Sequence, residues 1–444
     1  MENRSKEKEV SRTYTKDVNA NLDGHKVELK GWVHEIRDQS KIKFILLRDI
    51  TGIVQVVLKE GEAAFDKVTR LSKESVVSVR GTVQKSDQAP GGAEVKLENY
   101  IVLSEAEPIL PIPVVEKGSM RTTLPKRLDY RAIDLRKPAN TAIFKVQSAI
   151  MQGMQEYLAK GGFIQVFTPC LMGVASESGS EVFEVNYYKR KSFLRQDPQL
   201  HRQLTVLGGI EKLYDIGPSW RAEKSHTIKH LSEHRTCAVE LAFIKDERDT
   251  MRVEEGVIVA AIKNVKEKCS AELELLDVKL KIPETPFPEL KFPQIYDILS
   301  KEGKDMYGED PDAEAERILW AYVQKKYKSQ FYFFNRFPFK IKPFYVMKFD
   351  DEPEWARSVD LNFKGLELSS GGQREHRYKQ LMQQVKEKGL SPKNIEWFTK
   401  FFRYAAPPHG GFAVGIERLT QSLLNLSNVR EATLFPRDED RLEP

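Results

Sequence analysis

The chain has 444 residues, 40% of them apolar and 30% charged, with a formal net charge of +5. At roughly one domain per 150 residues, this length predicts two or three domains with cores of ordinary size. No apolar run reaches the ~18 residues that cross a bilayer, and the charged start Met1-Glu-Asn-Arg-Ser-Lys6 lacks the apolar stretch of a secretion signal. Cys170, Cys237 and Cys269 are far apart and show no C-x-x-C spacing. This argues against a disulfide framework or thiolate zinc site and predicts a cytoplasmic chain with no membrane partner. The modest positive charge tolerates a polyanionic partner without requiring one.

In chain order, residues 1–15 are expected to form a disordered tail. Residues 16–105 read as short strands. Val27 to His34, Lys43 to Arg48, Ile53 to Leu58, Val76 to Val83 and Val95 to Leu103 are β-rich, with a turn at Asp49-Ile-Thr-Gly52. Five short strands at this spacing predict a small closed barrel of the OB type, a shape that commonly binds oligonucleotides. Shape alone does not fix function, and the barrel could be purely structural. Residues 106–138, with Pro108, Pro111 and Pro113, are expected as a hinge. From Thr141, the apolar residues Ile143, Val146, Ile150, Met154 and Tyr157 recur at helical spacing. Gly161-Gly162 ends that helix, and Phe163-Ile-Gln-Val-Phe167 follows as a strand stopped near Pro169. Further strands are predicted at Leu213 to Ile216, Val239 to Phe243, Phe331 to Phe334 and Leu366 to Leu368. Residues 139–444 therefore read as an α+β domain on a mostly antiparallel sheet.

Four segments carry chemistry. Gly410-Gly-Phe-Ala-Val-Gly-Ile-Glu-Arg418 places glycines before an arginine at a strand-to-helix junction. There the backbone can approach a flat or charged ligand, which the arginine covers. After the strand ending at Ile216, Arg221 and Glu223 share one face of an extended segment, where an arginine can fork onto phosphate. Asp360, Glu367 and Ser370 are hard oxygen donors of the kind magnesium prefers, and Arg374 follows a Gly-Gly turn. Asp197-Pro-Gln-Leu-His-Arg-Gln203 offers Gln199 and Arg202 at a helix start. Each has a blander reading: a plain turn, a structural ion pair, a hairpin with solvated charges, or a helix start with exposed polar residues. His230-Leu-Ser-Glu-His234 also matches H-x-x-E-H, which on a helix would set two zinc ligands on one face. Its polar flanks offer no helical periodicity.

Together these segments resemble the class II aminoacyl-tRNA synthetases, subclass IIb, and most closely the aspartyl-tRNA synthetases of archaeal and eukaryotic type, from about residue 15 onward. Pro169 falls at that family's first motif, Arg221-Ala-Glu223 and the loop to His230 at its second, and Gly415 to Arg418 at its third. The ending Phe435-Pro-Arg-Asp438 is also similar. The resemblance implies ATP-dependent ligation of aspartate to tRNA, with Mg2+ as cofactor, in protein biosynthesis by a homodimer. It implies Arg221, Glu223 and Arg418 as catalytic residues, and ATP contacts from these and His230, Leu231, Glu367 and Gly415. Glu177, Gln199, Arg202, Ser370 and Arg374 would bind the amino acid, and Asp360, Glu367 and Ser370 the metal. Trp32, Phe44 and Gln55 would meet the anticodon on the barrel.

Departures concentrate in the amino acid pocket. Arg202 stands where the family has lysine. Ala238 falls where it has the aspartate that meets the substrate ammonium, and His234 where an aromatic often packs on adenine. Ser178 replaces a glycine of the mobile loop. Arg202 and Ala238 keep open a second reading: a synthetase paralogue that binds tRNA or activates another acidic substrate, or asparagine.

Overall fold

The computed structural model describes residues 11–62, 64–68, 70–116, 121–174, 182–222, 224 and 227–444. It divides into two units, Met1–Pro138 and Ala139–Pro444. Among the described residues, no helix is long and apolar enough to cross a membrane.

The first unit is a closed barrel of five strands among the described residues: β1 (Lys26–Gln39), β2 (Ile42–Arg48), β3 (Ile53–Lys59), β4 (Val76–Lys85) and β5 (Ala93–Ser104). Their order is β1-β2-β3-β5-β4, and β4 pairs back to β1. Only β3 and β5 run parallel. Alternation sends Leu29, Val33, Ile45, Leu47, Val54 and Val56 inward, which closure of the ring requires. The chain enters through Arg12, which bridges to Glu28, and through Thr15, which is buried and bonds the Asp49 turn. The expected hinge carries two short helices, Leu124–Asp129 and Arg131–Asp134. Asp134 is buried there, 2.8 Å from Arg131 Nη1 and 3.0 Å from Arg127 Nε.

The second unit is an α+β domain. Its strands are β6 (Ile164–Gln165), β7 (Leu171–Met172), β8 (Glu184–Tyr187), β9 (Arg190–Leu194), β10 (Lys212–Trp220) and β11 (Glu233–Ala242). Then follow β12 (Glu289–Lys291), β13 (Phe331–Pro338), β14 (Trp355–Phe363), β15 (Leu366–Arg374) and β16 (His409–Gly415). Among the described residues, eight of them form one sheet in the order β12-β13-β14-β15-β16-β11-β10-β6. It is antiparallel except at its two outer pairs. The expected strand Phe163 to Phe167 shrinks to β6, because the ladder with β10 covers Ile164 and Gln165 and ends on the Val166 N–H bond to the Tyr214 carbonyl.

One face of this sheet is apolar. Val239, Val359, Leu361, Phe412 and Val414 pack beneath the helices Pro138–Lys160 and Glu247–Lys268. The first helix buries Ile143, Val146, Ile150 and Met154, as its periodicity predicts, and starts at Pro138, a residue suited to a first helical turn. The two helices cross closely at Gly153. A methyl there would lie 2.8 Å from the Ala260 carbonyl oxygen and 2.9 Å from Ala261 Cα. Gly153→Val is therefore expected to destabilise this unit by about 1–3 kcal/mol through overpacking. Urea unfolding of the full chain checks this, and an unchanged midpoint would contradict the close crossing.

Candidate active site

The opposite face of the sheet is polar over the central strands, whereas at β13 Tyr332 and Phe334 pack in a second apolar cluster with the helices Gln294–Lys301 and Ala313–Tyr327. Side chains of neighbouring strands line up in rows set by register. One row runs Asp360, Ser370, Ala413, Ala238, Asp215 across β14, β15, β16, β11 and β10. The next runs Ser358, Gly372, Gly411, Glu240. Gly411 is required: a Cβ there would sit 2.0 Å from the Val239 carbonyl oxygen and 2.4 Å from Glu240 Oε2. Glu367 and Ser370 are three apart, so a regular strand would send them to opposite faces. A β-bulge between Leu361 and Asn362 in the pairing of β14 with β15 corrects this. Asp360, Glu367 and Ser370 therefore share the polar face.

Two cavities lie on this face. The first, about 150 Å³, is lined by Arg221, Lys229, His230, Leu231, His234, Glu367, Gly415 and Arg418, among others. Gly415 ends β16 and the helix Ile416–Leu423 starts at once, so Arg418 projects back over the cavity. Its guanidinium donates to the carbonyls of Glu367 and Lys229, both at 3.4 Å. Burial, and secondarily Asp360, push the Glu367 carboxyl up to about 7, against Arg418 and Lys342. His230 precedes β11 and His234 lies on it, so the H-x-x-E-H segment is not helical and the two imidazoles do not share a helix face. Glu177 and Glu223 lie outside the described residues.

The second cavity, about 350 Å³, is lined by Asp197, Gln199, Arg221, Lys342, Ser370 and Arg374, with Leu200, Phe344 and Trp397 as apolar wall. Gln196, Asp197, Arg221, Ser370 and Ala413 line both cavities, so the two are continuous. Arg374 is 4% exposed and pairs with Glu240, Nε to Oε1 at 3.0 Å. Gln199 donates to Glu240 Oε2 at 3.0 Å, and its carbonyl accepts from Arg374 Nη2 at 3.1 Å and Arg202 Nη2 at 2.9 Å. The helix Gln199–Leu207 buries Gln199, Arg202 and Gln203, so these polar residues are not the exposed helix start that composition alone allows. Arg202 differs from the expectation of direct substrate contact: it is 1% exposed and lines neither cavity, because Gln199 and Asp197 stand between.

Sequence reasoning passed over Lys342, Glu240 and Asp197 as site residues. Lys342 holds Asp360 Oδ2 at 3.0 Å, while Asp360 Oδ1 is buried without a hydrogen-bond partner. Lys342 sits in an irregular segment after β13, where no periodicity marks it. Glu240 was visible as a lone acid in an apolar strand, a pattern that signals a buried cation nearby.

On the barrel, Trp32, Phe44 and Gln55 stand outside the apolar core, Trp32 and Phe44 half-buried and Gln55 buried at 9% exposed. Phe44 pairs with Val57 and Gln55 with Leu46, which makes Phe44 and Gln55 diagonal neighbours across β2 and β3. The Gln55 amide nitrogen donates to Glu94 at 2.8 Å. Trp32 is displaced along the barrel beside Arg48, which forks onto Glu74 at 2.9 and 2.8 Å.

A family model described as tRNA synthetases class II (D, K and N) matches residues 123–439. The chain belongs to the class II tRNA synthetases. A model of the OB-fold nucleic acid binding domain matches residues 27–103 of this synthetase. The synthetase is 41% identical to the aspartate–tRNA(Asp) ligase of Thermococcus kodakarensis over 97% of this chain and 99% of that protein. Against the aspartate–tRNA(Asp/Asn) ligase of Methanopyrus kandleri the figures are 43%, 97% and 99%. The solved asparaginyl-tRNA synthetase of Pyrococcus horikoshii, complexed with asparaginyl-adenylate, superposes with a TM-score of 0.91 at 34% identity, covering 98% of this chain and 100% of that one.

His234 gives this site a pH signature. Burial first, then Arg221 and Arg418, push its imidazole down from 6.5 to about 4. The unfolded chain takes up this proton near 6.5 and the folded synthetase only near 4, so the contribution is complete above 6.5 and is lost as pH falls through 4. His234→Gln is expected to reduce the loss of unfolding free energy between pH 7 and pH 4 by about 1–3 kcal/mol. Urea titrations of both proteins at the two pH values check this, and equal losses would contradict the assignment.

Proposed function

We propose that this synthetase is an aspartate–tRNA ligase, acting in the cytoplasm as a homodimer. The supporting observation is the pair of cavities that meet at Arg221, with the Arg374 guanidinium on the wall of the larger one. ATP occupies the smaller cavity. Arg418 covers the adenine and meets the distal phosphates, with Gly415, His230 and Leu231 beside it. The neutral His234 imidazole offers a flat face to the base. Aspartate occupies the larger cavity, and Arg374 forks onto its side-chain carboxylate. A planar charged fork favours a carboxylate over a neutral amide, which argues for aspartate over asparagine. The Glu240 and Gln199 contacts fix the orientation of that fork.

In the first step an oxygen of the aspartate α-carboxylate attacks the α-phosphorus of ATP. The bond to the bridging oxygen breaks and pyrophosphate leaves with the electron pair. Arg221 stands where both cavities meet and opposes the charge that grows on the α-phosphate. In the second step a terminal ribose hydroxyl of tRNA attacks the adenylate carbonyl and AMP departs. Most of the acceleration in such a site comes from positioning and fixed charge. The unpartnered Asp360 Oδ1, together with Glu367 and Ser370 on the same face, fits a hard divalent cation. These residues would hold Mg2+, which neutralises phosphate charge when bound. On the barrel, Phe44 and Trp32 stack unpaired anticodon bases and Gln55 reads a base edge.

The wild-type chain is expected to catalyse aspartate-dependent exchange of pyrophosphate into ATP. Arg374→Ala removes a charge-assisted fork, which is expected to raise KM for aspartate by about 10- to 100-fold with KM for ATP within about threefold. Steady-state exchange assays measure both. Absence of aspartate-dependent exchange in the wild type, at saturating aspartate, would refute the proposed function.

A further inference from the structure

The larger cavity presents several cations and few acids along its wall. Four cations line it: Arg195, Arg221, Lys342 and Arg374. Among the described residues, Asp197 is the one carboxylate on that wall. Three of the cations are paired behind the wall: Arg195 with Asp215 at 3.6 Å, Lys342 with Asp360 at 3.0 Å and Arg374 with Glu240 at 3.0 Å. Glu240 is fully buried, with Oε1 taken by Arg374 and Oε2 by Gln199. Asp215 is 3% exposed and accepts from Thr168. Ala238, beside Asp215 on the same row, brings no carboxylate.

Asp197 is oriented from behind. Its Oδ1 accepts from Arg202 Nη2 at 2.6 Å, and among the described residues its Oδ2 has no hydrogen-bond partner. The side chain is 40% exposed, open to the cavity. It lies on the stretch of wall common to both cavities, together with Arg221 and Ser370. That location matters chemically. In an α-amino acid the ammonium and the reacting carboxylate share one carbon. With the reacting carboxylate at Arg221 and the side-chain carboxylate at Arg374, the ammonium must lie near the common wall.

We propose that Asp197 receives the α-ammonium of the substrate amino acid, and that Arg202 is a positioning residue that holds Asp197 and Gln199 in place. The assignment rests on the aspartate–tRNA ligase reading and deepens it. Arg202 reaches no substrate. Its one Nη2 nitrogen bonds both Asp197 Oδ1 and Gln199 Oε1, and Gln199 Oε1 also receives Arg374 Nη2. One buried guanidinium thereby sets the spacing between the ammonium acceptor and the carboxylate fork. Ammonium and carboxylate are then read as a pair at fixed separation, which specifies an α-amino dicarboxylic acid over a plain one.

The test compares aspartate with succinate, the same dicarboxylate without the ammonium, by calorimetric titration of the full-length protein. The wild type is expected to bind aspartate about 10- to 100-fold more tightly than succinate. In Asp197→Asn that preference should fall to about threefold or less, with succinate affinity little changed. Arg202→Met should lower the preference in the same direction, and Arg202→Lys should restore part of it, because a cation again faces Asp197. A preference that survives in Asp197→Asn overturns the role of Asp197, and one that survives in Arg202→Met overturns that of Arg202. A wild type that binds ATP yet shows no preference for aspartate overturns the aspartate reading itself, and the proposal falls with it.

Discussion

The Arg374–Glu240 pair, buried between β15 and β11, is the contact on which the amino acid end of this site depends. A guanidinium buried in such a place needs a carboxylate beside it, and removing either partner leaves an uncompensated buried charge. The strand register puts both side chains on the polar face, while Val239 and Val414 on alternate positions hold the sheet to its helices. Gly411, between them in the register, admits the Glu240 carboxylate because it has no Cβ. A flat row of small residues and one buried ion pair thus create a charged wall without opening the core.

The nucleotide end follows a different rule. Arg418 is placed by an abrupt change from strand to helix at Gly415, and Glu367 by a bulge that inverts the direction of one residue. Both devices aim a side chain by backbone geometry. Neither depends on long-range packing, though only the junction at Gly415 leaves a mark in the local sequence.

That difference explains what was legible. The helix with Ile143, Val146, Ile150 and Met154, the five barrel strands and the strand-to-helix junction at Gly415 all follow from short-range patterns. The family resemblance then brought Arg221, Glu367, Arg374 and Arg418 to one site, and the structure sets all four on the cavity walls. Lys342 and the bulge were not legible, because neither leaves a periodic or compositional mark in the chain, and Asp197 was read only as part of its segment, because its presentation to the cavity depends on Arg202 holding it from behind. Arg202 was legible as a residue but not as a contact. Its chemistry suggests a substrate ligand, while its burial behind Gln199 makes it a support. The two least orthodox positions of the pocket, Arg202 and Ala238, are then consistent with a carboxylate presented from Asp197 instead of from β11.

The central claim is that one bound molecule spans both cavities, with its phosphate at Arg221, its side-chain carboxylate at Arg374 and its ammonium at Asp197. The most direct measurement is a crystal structure of the protein with a non-hydrolysable aspartyl-adenylate analogue. The account predicts the analogue's side-chain carboxylate within hydrogen-bond distance of the Arg374 guanidinium and its ammonium within hydrogen-bond distance of Asp197 Oδ2. An analogue whose side chain turns away from Arg374, or whose ammonium finds no contact with Asp197, would contradict it.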